Sequence, residues 1–343
     1  MIYRRALLGL FLALPLAAGQ QDTWTGVDRI VAIGDVHGDY QQFVALLSSA
    51  GVIDKNERWI GGKTHLVQTG DIPDRGPDTR KAMDLLMRLE KQAAKAGGRV
   101  HALIGNHEAM NIYGDLRYVT DEEFASFAGG LHPEAEANHP AGYAEHRQAF
   151  GPSGLYGKWI RGHNTIVKIN DIVFLHGGLG PKYAGMAIEK INERVRKELE
   201  DPRLLSNGVV TDVEGPLWYR GLAQGDEAKL GGHLETVLTA LGASRMVIGH
   251  TVTGGTVTPR FGGRVVMIDN GMSSVYGSRQ ACLVMEQDKL YTLHRGHRLE
   301  LPAGNGAELM EYFRRAAALD PQPSPLAGII RQIESRQPAP VSP

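Results

Sequence analysis

The chain has 343 residues, enough to bury a full hydrophobic core as one large or two modest domains. Its 37 Lys and Arg residues nearly balance 38 Asp and Glu residues, so the composition gives no electrostatic case for binding nucleic acid. A single cysteine, Cys282, excludes an intramolecular disulfide and a cysteine-pair zinc site. Cys282 lies in an apolar run with Asp288, not an arginine, six residues later, so we expect a small buried hydrophobic residue there and no cysteine phosphatase loop.

Residues 1–19 are predicted to form a secretory signal peptide. Arg4 and Arg5 make a basic start, residues 6–16 are apolar, and residues 17–19 are small. The apolar stretch is shorter than the roughly 20 residues that span a bilayer, so we expect no stable membrane insertion after cleavage. The expected location is outside the cytoplasm, in a bacterial periplasm.

The next part of the chain predicts three strands that each end in a polar cluster. The strands cover residues 29–33, 65–69 and 99–104, and the clusters after them read GDVHGDY, GDIPDRG and GNHE. An amphipathic segment follows the first strand, and a helix is predicted over residues 82–96 after the second. This alternation is typical of a βαβαβ unit with its functional site at one edge of the sheet.

Residues 110–160 break this alternation and are predicted to form a helical insertion. A hairpin with an Asn-Asp turn is predicted at residues 165–175, followed by helices at 188–199 and 234–241. Further short strands are predicted at 245–248, near 257, and at 264–268, 280–285 and 290–293. The pattern indicates an α/β fold with two packed sheets and helices outside.

The predicted domain organisation follows from these elements. A catalytic domain is expected over residues 26–300, with insertions at about 110–160 and 180–245. Residues 301–343 are expected to hold a C-terminal helix at 308–319 and then a mobile proline-rich tail from Pro321.

Five strand-end clusters supply oxygen and imidazole groups but no thiolate, which favours Mn, Fe or Zn as the bound metal. The clusters are Asp35 with His37; Asp71 with Asp74 and Arg75; Asn106 with His107; His176; and His250. We assign Asp35, His37 and Asp71 to one ion, and Asp71, Asn106, His176 and His250 to a second. Two divalent or trivalent ions roughly 4 Å apart would acidify a bridging water and bind phosphate oxygens.

The remaining polar residues of these clusters are predicted to act on the substrate. His107 is the predicted acid that protonates the leaving oxygen, and Asp74 is predicted to orient it. Arg75, Arg220 and Asn106 are the predicted contacts to the phosphoryl group.

Each fragment also has a structural interpretation when it is taken singly. A lone turn histidine is common, Asp39 could cap the following helix, and Glu108 could begin one. Arg220 could be a surface arginine beside two aromatic residues. Chance does not easily produce all five polar clusters in this order along one chain.

The motifs GDVHG, GDIPDRG, GNHE, HGG and GHT, in this order, resemble the calcineurin-like metallophosphoesterases, and the first three resemble the phosphoprotein phosphatase branch. The longer forms GDVHGDY, GNHEAMN and PLWYRG resemble the Shewanella-like protein phosphatases. The resemblance covers about residues 29–285. It implies a four-layer α/β/β/α sandwich, a dinuclear Mn, Fe or Zn centre, and hydrolysis of phosphomonoesters by a hydroxide that bridges two metal ions. Pro73 departs from the aliphatic residue usual in the eukaryotic enzymes.

Three functional hypotheses follow. The leading one is a phosphomonoester hydrolase, in particular a phosphoprotein phosphatase for Ser/Thr or Tyr, whose partner is a phosphorylated protein or a small phosphomonoester. The alternative is a dinucleoside polyphosphate hydrolase that uses the same dinuclear site. The third is a catalytically silent interaction module, which the complete set of ligands and acid makes the weakest.

Overall fold

The computed structural model describes residues 21–129, 138–287, 289–303 and 306–335. The predicted signal peptide lies outside the described residues. Within them, strands form two six-stranded sheets. The strands are β1 (Thr23–Trp24), β2 (Arg29–Ile33), β3 (His65–Gln68), β4 (Arg99–Ala102), β5 (Ile166–Ile169), β6 (Ile172–Leu175), β7 (Arg245–Ile248), β8 (Thr258–Arg260), β9 (Val265–Met267), β10 (Ala281–Glu286), β11 (Lys289–His294) and β12 (His297–Glu300).

The helices lie mainly between these strands and after the last one. They are α1 (Tyr40–Ser49), α2 (Thr79–Lys95), α3 (Asn106–Tyr113), α4 (Asp121–Phe127), α5 (Tyr143–Phe150), α6 (Leu155–Arg161), α7 (Ile188–Glu200), α8 (Gly221–Gln224), α9 (Glu227–Leu241), α10 (Gly306–Leu319) and α11 (Leu326–Glu334). Helices α3 to α6 occupy the region predicted as a helical insertion.

One sheet has the order β12-β11-β10-β2-β3-β4 and contains the three strands predicted from the first half of the chain. Strands β2, β3 and β4 are parallel neighbours, with Val31 opposite Leu66 and Leu66 opposite Val100. Their carboxyl ends therefore lie along the same edge of the sheet, as the βαβαβ prediction requires.

The other sheet has the order β1-β5-β6-β7-β9-β8. Strands β5 and β6 form the predicted hairpin, in which Asn170 adopts a left-handed φ of 56° at the turn. Strands β6 and β7 are parallel, so the polar residues that follow them also share an edge.

The two sheets pack face to face, and helices cover their outer surfaces. Side chains of β2 alternate between the two sides, because Ile30 and Ala32 pack against the second sheet while Val31 and Ile33 pack on the helix side. This arrangement confirms the predicted four-layer α/β/β/α sandwich.

The prediction of a mobile tail from Pro321 onward is wrong for residues 326–334. These residues form helix α11, and Leu326 of α11 is fully buried. Its apolar neighbours are Phe313 and Ala316 of α10 and Leu299 of β12. Pro321, Pro323 and Pro325 occupy the connection between the two helices, and the apolar face of α11 continues beyond them. Among the described residues, no helix combines the length and apolar character needed to cross a membrane.

Candidate active site

Seven predicted metal or acid residues converge where the parallel strands of both sheets end. Asp35 and His37 follow β2, Asp71 follows β3, and Asn106 and His107 begin α3 just after β4. From the other sheet, His176 follows β6 and His250 follows β7. These side chains are at most 6% exposed. The structure therefore brings together groups that lie as far apart in the chain as residues 35 and 250.

Glycines allow the first two loops to touch through their backbones. A Cβ atom at Gly38 would lie 2.4 Å from the carbonyl oxygen of Gly76, and one at Gly76 would lie 2.5 Å from that of His37. Larger residues would push the GDVHG and GDIPDRG loops apart. The glycines of both motifs thus set the spacing between His37 and Asp71.

The residues predicted for the second ion surround the Nε2 atom of His176. This atom lies 3.1 Å from Asp71 Oδ2, 3.0 Å from Asn106 Oδ1 and 3.1 Å from His250 Nδ1. The Nε2 atom of His250 is buried and has no hydrogen-bond partner among the described residues.

The chemistry of this donor set fits a cation. Nδ1 of His176 lies 2.9 Å from the carbonyl oxygen of Thr69, and because a carbonyl can only accept, Nδ1 carries the proton of the neutral ring. Nε2 then presents a lone pair toward oxygen atoms of Asp71 and Asn106, which are also electron-rich. Such atoms repel one another unless a cation or an extra proton lies between them. The same backbone anchoring of an imidazole is common at metal sites.

The residues predicted for the first ion show the same arrangement. Nδ1 of His37 lies 3.2 Å from the carbonyl oxygen of Pro73, so the proton is again held by the backbone. Nε2 of His37 lies 3.9 Å from both Asp35 Oδ2 and Asp71 Oδ2. Asp71 faces both groups, as expected for a ligand shared between two ions.

Burial and mutual proximity shift the pKa values of these groups. Burial, with the nearby charges of Asp269 and Asp71, raises the pKa of Asp35 well above its ordinary value. Burial also lowers the pKa of His37 to about 3 and, with His176 close by, that of His250 to about 2. Although burial raises the pKa of Asp71, positive charge on the His176 and His107 imidazoles, where a proton takes the place of a cation, holds it well below its usual range. Neutral imidazoles and an ionised Asp71 are the forms that ligate a metal.

His107 and Asp74 form a buried pair. Nδ1 of His107 makes a hydrogen bond with Asp74 Oδ2, which leaves Nε2 facing the site, 3.8 Å from Asp71 Oδ2. Burial lowers the pKa of His107, but the Asp71 charge and the Asp74 hydrogen bond outweigh burial and raise it above its ordinary value. An imidazole held in this way can release a proton from Nε2.

The two predicted arginines lie at the edge of the site. The Arg75 guanidinium carbon is 4.5 Å from the Tyr118 ring centroid and 5.5 Å from that of Tyr276, and its buried Nε has no hydrogen-bond partner among the described residues. Arg220 is exposed, and its Nη1 donates to the His250 carbonyl oxygen at 2.6 Å and to Thr251 Oγ1 at 2.9 Å. Arg220 thus borders the site, and its contact with phosphate stays a prediction.

Several of these residues have left-handed backbone conformations. The φ angle is 48° at His37, 60° at Asp71, 73° at Asp74, 66° at Arg75 and 64° at His250. Such conformations cost of order 1–3 kcal/mol each for non-glycine residues and concentrate at functional sites.

Sequence reasoning missed three buried residues. Glu108 accepts hydrogen bonds from the backbone N–H groups of Asp71, Ile72 and Gly105 at 2.7–2.9 Å, so it ties the GDIPDRG loop to α3. Asp269 lies just after β9, and its charge raises the pKa of Asp35. Its position at a strand end is the sequence feature that could have identified it as a site residue. Asn111 contacts Asp74 and His107, as described below.

Comparison with known proteins gives a consistent result. The sequence matches the family described as calcineurin-like phosphoesterase over residues 28–254. It is 38% identical over 272 residues to an uncharacterized Schizosaccharomyces pombe protein, covering 76% of this chain and 77% of that one. It is 32% identical over 285 residues to Shewanella-like protein phosphatase 2 of Arabidopsis thaliana, covering 72% of each. The structure resembles that of a cold-active protein-tyrosine phosphatase from a psychrophilic Shewanella species, with a TM-score of 0.69, 32% identity and 82% coverage of both chains.

Proposed function

The chain belongs to the calcineurin-like phosphoesterase family and is a phosphatase, and we propose that it removes phosphate from phosphorylated proteins at the site described above. The observation that carries this proposal is the convergence of Asp71, His176 and His250 beside the buried His107–Asp74 pair. Related chains named as protein phosphatases cover most of its length.

The donor set supports a dinuclear centre. Asp35, His37 and Asp71 would hold one ion, and Asp71, Asn106, His176 and His250 the other. When bound, a pair of Mn, Fe or Zn ions would supply Lewis-acid charge to phosphoryl oxygens and acidify an attacking water.

The protein's own side chains have separate tasks in the proposed reaction. Arg75, whose Nε has no hydrogen-bond partner in the described part of the chain, would donate hydrogen bonds to the phosphoryl oxygens, and Arg220 would add charge from the rim. His107 would give the proton at Nε2 to the leaving oxygen. Asp74 would accept a hydrogen bond from the protonated Nδ1 of His107 and so fix the ring plane.

The surroundings of Arg75 favour an aryl phosphate. The Tyr118 ring centroid is 5.0 Å from that of His107, and the Tyr276 ring centroid is 5.7 Å from that of His37. The two tyrosines therefore flank the predicted phosphate contact with aromatic surface, which can pack against a phenyl ring but offers little to a serine side chain. A solved relative is named as a protein-tyrosine phosphatase. We infer a preference for phosphotyrosine.

The dinucleoside polyphosphate alternative has weaker support. A symmetrical bis(5'-nucleosyl)-tetraphosphatase from Buchnera aphidicola is 27% identical over 158 residues, which is 45% of this chain. Release of nucleoside diphosphates from a dinucleotide faster than phosphate from phosphopeptides would favour this alternative.

Replacement of the shared ligand tests the metal-dependent mechanism. Asp71→Asn should lower kcat for an aryl phosphate in added Mn²⁺ by about a thousandfold or more, because both predicted ions lose a charged ligand. The matched control is Asp78→Asn, which removes an ion pair with the exposed Lys81 and should leave kcat unchanged. Full activity of Asp71→Asn, or of wild-type protein in chelator, would contradict the mechanism.

A second experiment tests the substrate preference. Tyr118→Ala should raise KM for a phosphotyrosine peptide by about three- to tenfold, the loss expected for one aromatic contact. KM for the matching phosphoserine peptide should change little and serves as the internal control. Equal effects on both peptides would show that Tyr118 does not select aryl substrates.

We also propose that residues 1–19 direct export to the periplasm, on the strength of their basic, apolar and small-residue segments. Expression of the whole chain in a bacterium, followed by N-terminal sequencing of the protein from the periplasmic fraction, should give a mature chain that starts at Gln20. Recovery of the uncleaved chain from the cytoplasm would contradict this proposal.

A further inference from the structure

Asn111 contacts both members of the predicted acid pair. It lies in α3, four residues after His107, and is fully buried. Its Nδ2 donates to Asp74 Oδ1 at 2.8 Å and to the carbonyl oxygen of His107 at 2.9 Å. The two hydrogens of one amide group are therefore used on the two residues of the pair.

These contacts form a closed ring of hydrogen bonds. Asp74 uses Oδ2 for His107 and Oδ1 for Asn111, so both oxygens of a carboxylate with 0% exposure are occupied. An unpaired carboxylate oxygen is costly in a buried place, so without Asn111 the carboxylate would rotate toward another donor. Rotation would move Oδ2 away from His107 Nδ1 and release the ring from its plane.

Among the described residues, the ion pair of Asp74 is with His107 alone, so its second oxygen depends on the Asn111 amide. Glu123 of α4, a carboxyl with 0% exposure, lies close to Asp74 and adds no positive charge there. The backbone of Asn111 is itself fixed, because Arg147 of α5 donates to its carbonyl oxygen. Asn111 is thus a rigidly placed donor.

We propose that Asn111 is a positioning residue for the acid step, holding Asp74 in the orientation that directs His107 Nε2 at the leaving oxygen. The proposal rests on the proposed phosphatase function. In that step a water molecule gives up one proton to solvent and its oxygen forms the new bond to phosphorus, the bond to the leaving oxygen breaks with its electron pair, and His107 gives one proton to that oxygen. Asn111 transfers nothing itself.

The test uses leaving groups of different basicity. Asn111→Leu, which keeps the approximate volume but removes the donor, should lower kcat for phenyl phosphate by about tenfold or more. Its kcat for p-nitrophenyl phosphate should change much less, because p-nitrophenoxide leaves without a proton. In a His107→Ala background, Asn111→Leu should cause no further loss, since its effect passes through His107.

Asn192→Leu is the matched control. Asn192 is equally buried in α7, and its amide makes three hydrogen bonds to the backbone of residues 165 and 166, outside the site. This variant should lose stability but keep the wild-type ratio of the two rates. An equal loss of both rates in Asn111→Leu, or an additive loss in the double variant, would overturn the proposal.

A spectroscopic measurement separates this proposal from the phosphatase function. In metal-free protein labelled with ¹⁵N-histidine, the hydrogen bond between His107 Nδ1 and Asp74 should give a downfield proton resonance that is absent in His107→Ala. The resonance should disappear or shift in Asn111→Leu and stay in Asn192→Leu. An unchanged resonance in Asn111→Leu would refute the positioning role even if the phosphatase activity is real, and a change would support it even if the enzyme has another substrate.

Discussion

At the scale of single residues, the site depends on side chains that connect two loops at once. Asp39 is an example outside the metal ligands. Its Oδ1 accepts the Gln42 N–H at the start of α1, and its Oδ2 accepts the Ser274 N–H at 2.8 Å. The residue predicted only as a helix cap therefore also holds the segment that carries Tyr276.

Asp39→Ala is expected to have two effects. Loss of the cap should lower the free energy of unfolding by about 1 kcal/mol. Release of the Ser274 segment should also raise KM for a phosphotyrosine peptide, because Tyr276 loses its support. Urea denaturation and steady-state kinetics measure the two effects.

Asp226→Ala provides the comparison for this prediction. Asp226 accepts a hydrogen bond from the Ala228 N–H, so it caps α9 as Asp39 caps α1, but away from the active site. It should lose similar stability with an unchanged KM. Equal KM values for both variants would show that the Asp39 contact with Ser274 has no role in binding.

At the scale of elements, the C-terminal helices are tied to the sheet by a buried polar network. Asp320, just after α10, accepts from the Arg295 guanidinium at 2.7 Å and lies 3.0 Å from His294 Nε2 in β11. Nδ1 of the same imidazole lies 3.1 Å from Thr256 Oγ1, in the loop that follows the GHT motif. The helical pair α10–α11 thus supports a loop that leads to the active site.

The Asp320 network should make stability depend on pH. Burial raises the pKa of Asp320, but its hydrogen bonds to Arg295 and Ser324 outweigh burial and hold the pKa below the ordinary 3.8. A lowered carboxyl pKa adds stability above the ordinary value, and this stability is lost as the pH falls through the folded value.

We therefore expect Asp320→Ala to lower the free energy of unfolding by about 1–3 kcal/mol near neutral pH. The difference from wild type should shrink as the pH falls below about 3.8. Urea denaturation curves near neutral pH and below pH 3.8 measure this difference in the free energy of unfolding. A difference that stays constant down to the lower pH would mean that packing, and not the ionised carboxyl, accounts for the effect.

At the scale of the whole molecule, the site joins the two sheets. Asp35, from the sheet that contains β2, accepts the His250 N–H at 3.1 Å, and His250 follows β7 of the other sheet. The predicted ligands of one metal centre come from both sheets. Metal binding should therefore stabilise the entire sandwich.

Metal binding should consequently raise Tm, and the increase should be larger near pH 8 than near pH 6. Burial, with the Asp71 charge, raises the pKa of Glu108 to about 7, and burial, partly offset by the Gly271 N–H, raises that of Asp269 to about 6. With Asp35, whose pKa is also raised, these carboxyls retain protons in the metal-free protein that a cation must displace. Thermal scans with chelator and with Mn²⁺ measure the increase, and a larger increase at the lower pH would contradict this explanation.

The sequence by itself determined the kinds of element, the strand-end position of the polar clusters and the chemical type of the site. These are local properties, because side-chain alternation in a strand and glycine-bounded loops are visible within about ten residues. Thiolate-free clusters after Ile33, Thr69 and Ile248 were enough to indicate a hard or borderline metal. The face-to-face sheets and the hairpin at Asn170 followed from the same patterns.

Only the tertiary structure decided which atoms meet. The Asp35–His250 contact joins positions 215 residues apart, and it depends on the order of the strands and on which edges of the two sheets meet, which no local pattern encodes. The same holds for Asn111, since its amide reaches Asp74 only because α3 packs beside the GDIPDRG loop. Helix α11 was missed for a related reason: its stability comes from burying Leu326 against α10, and prolines before a helix do not reveal what its apolar face will contact.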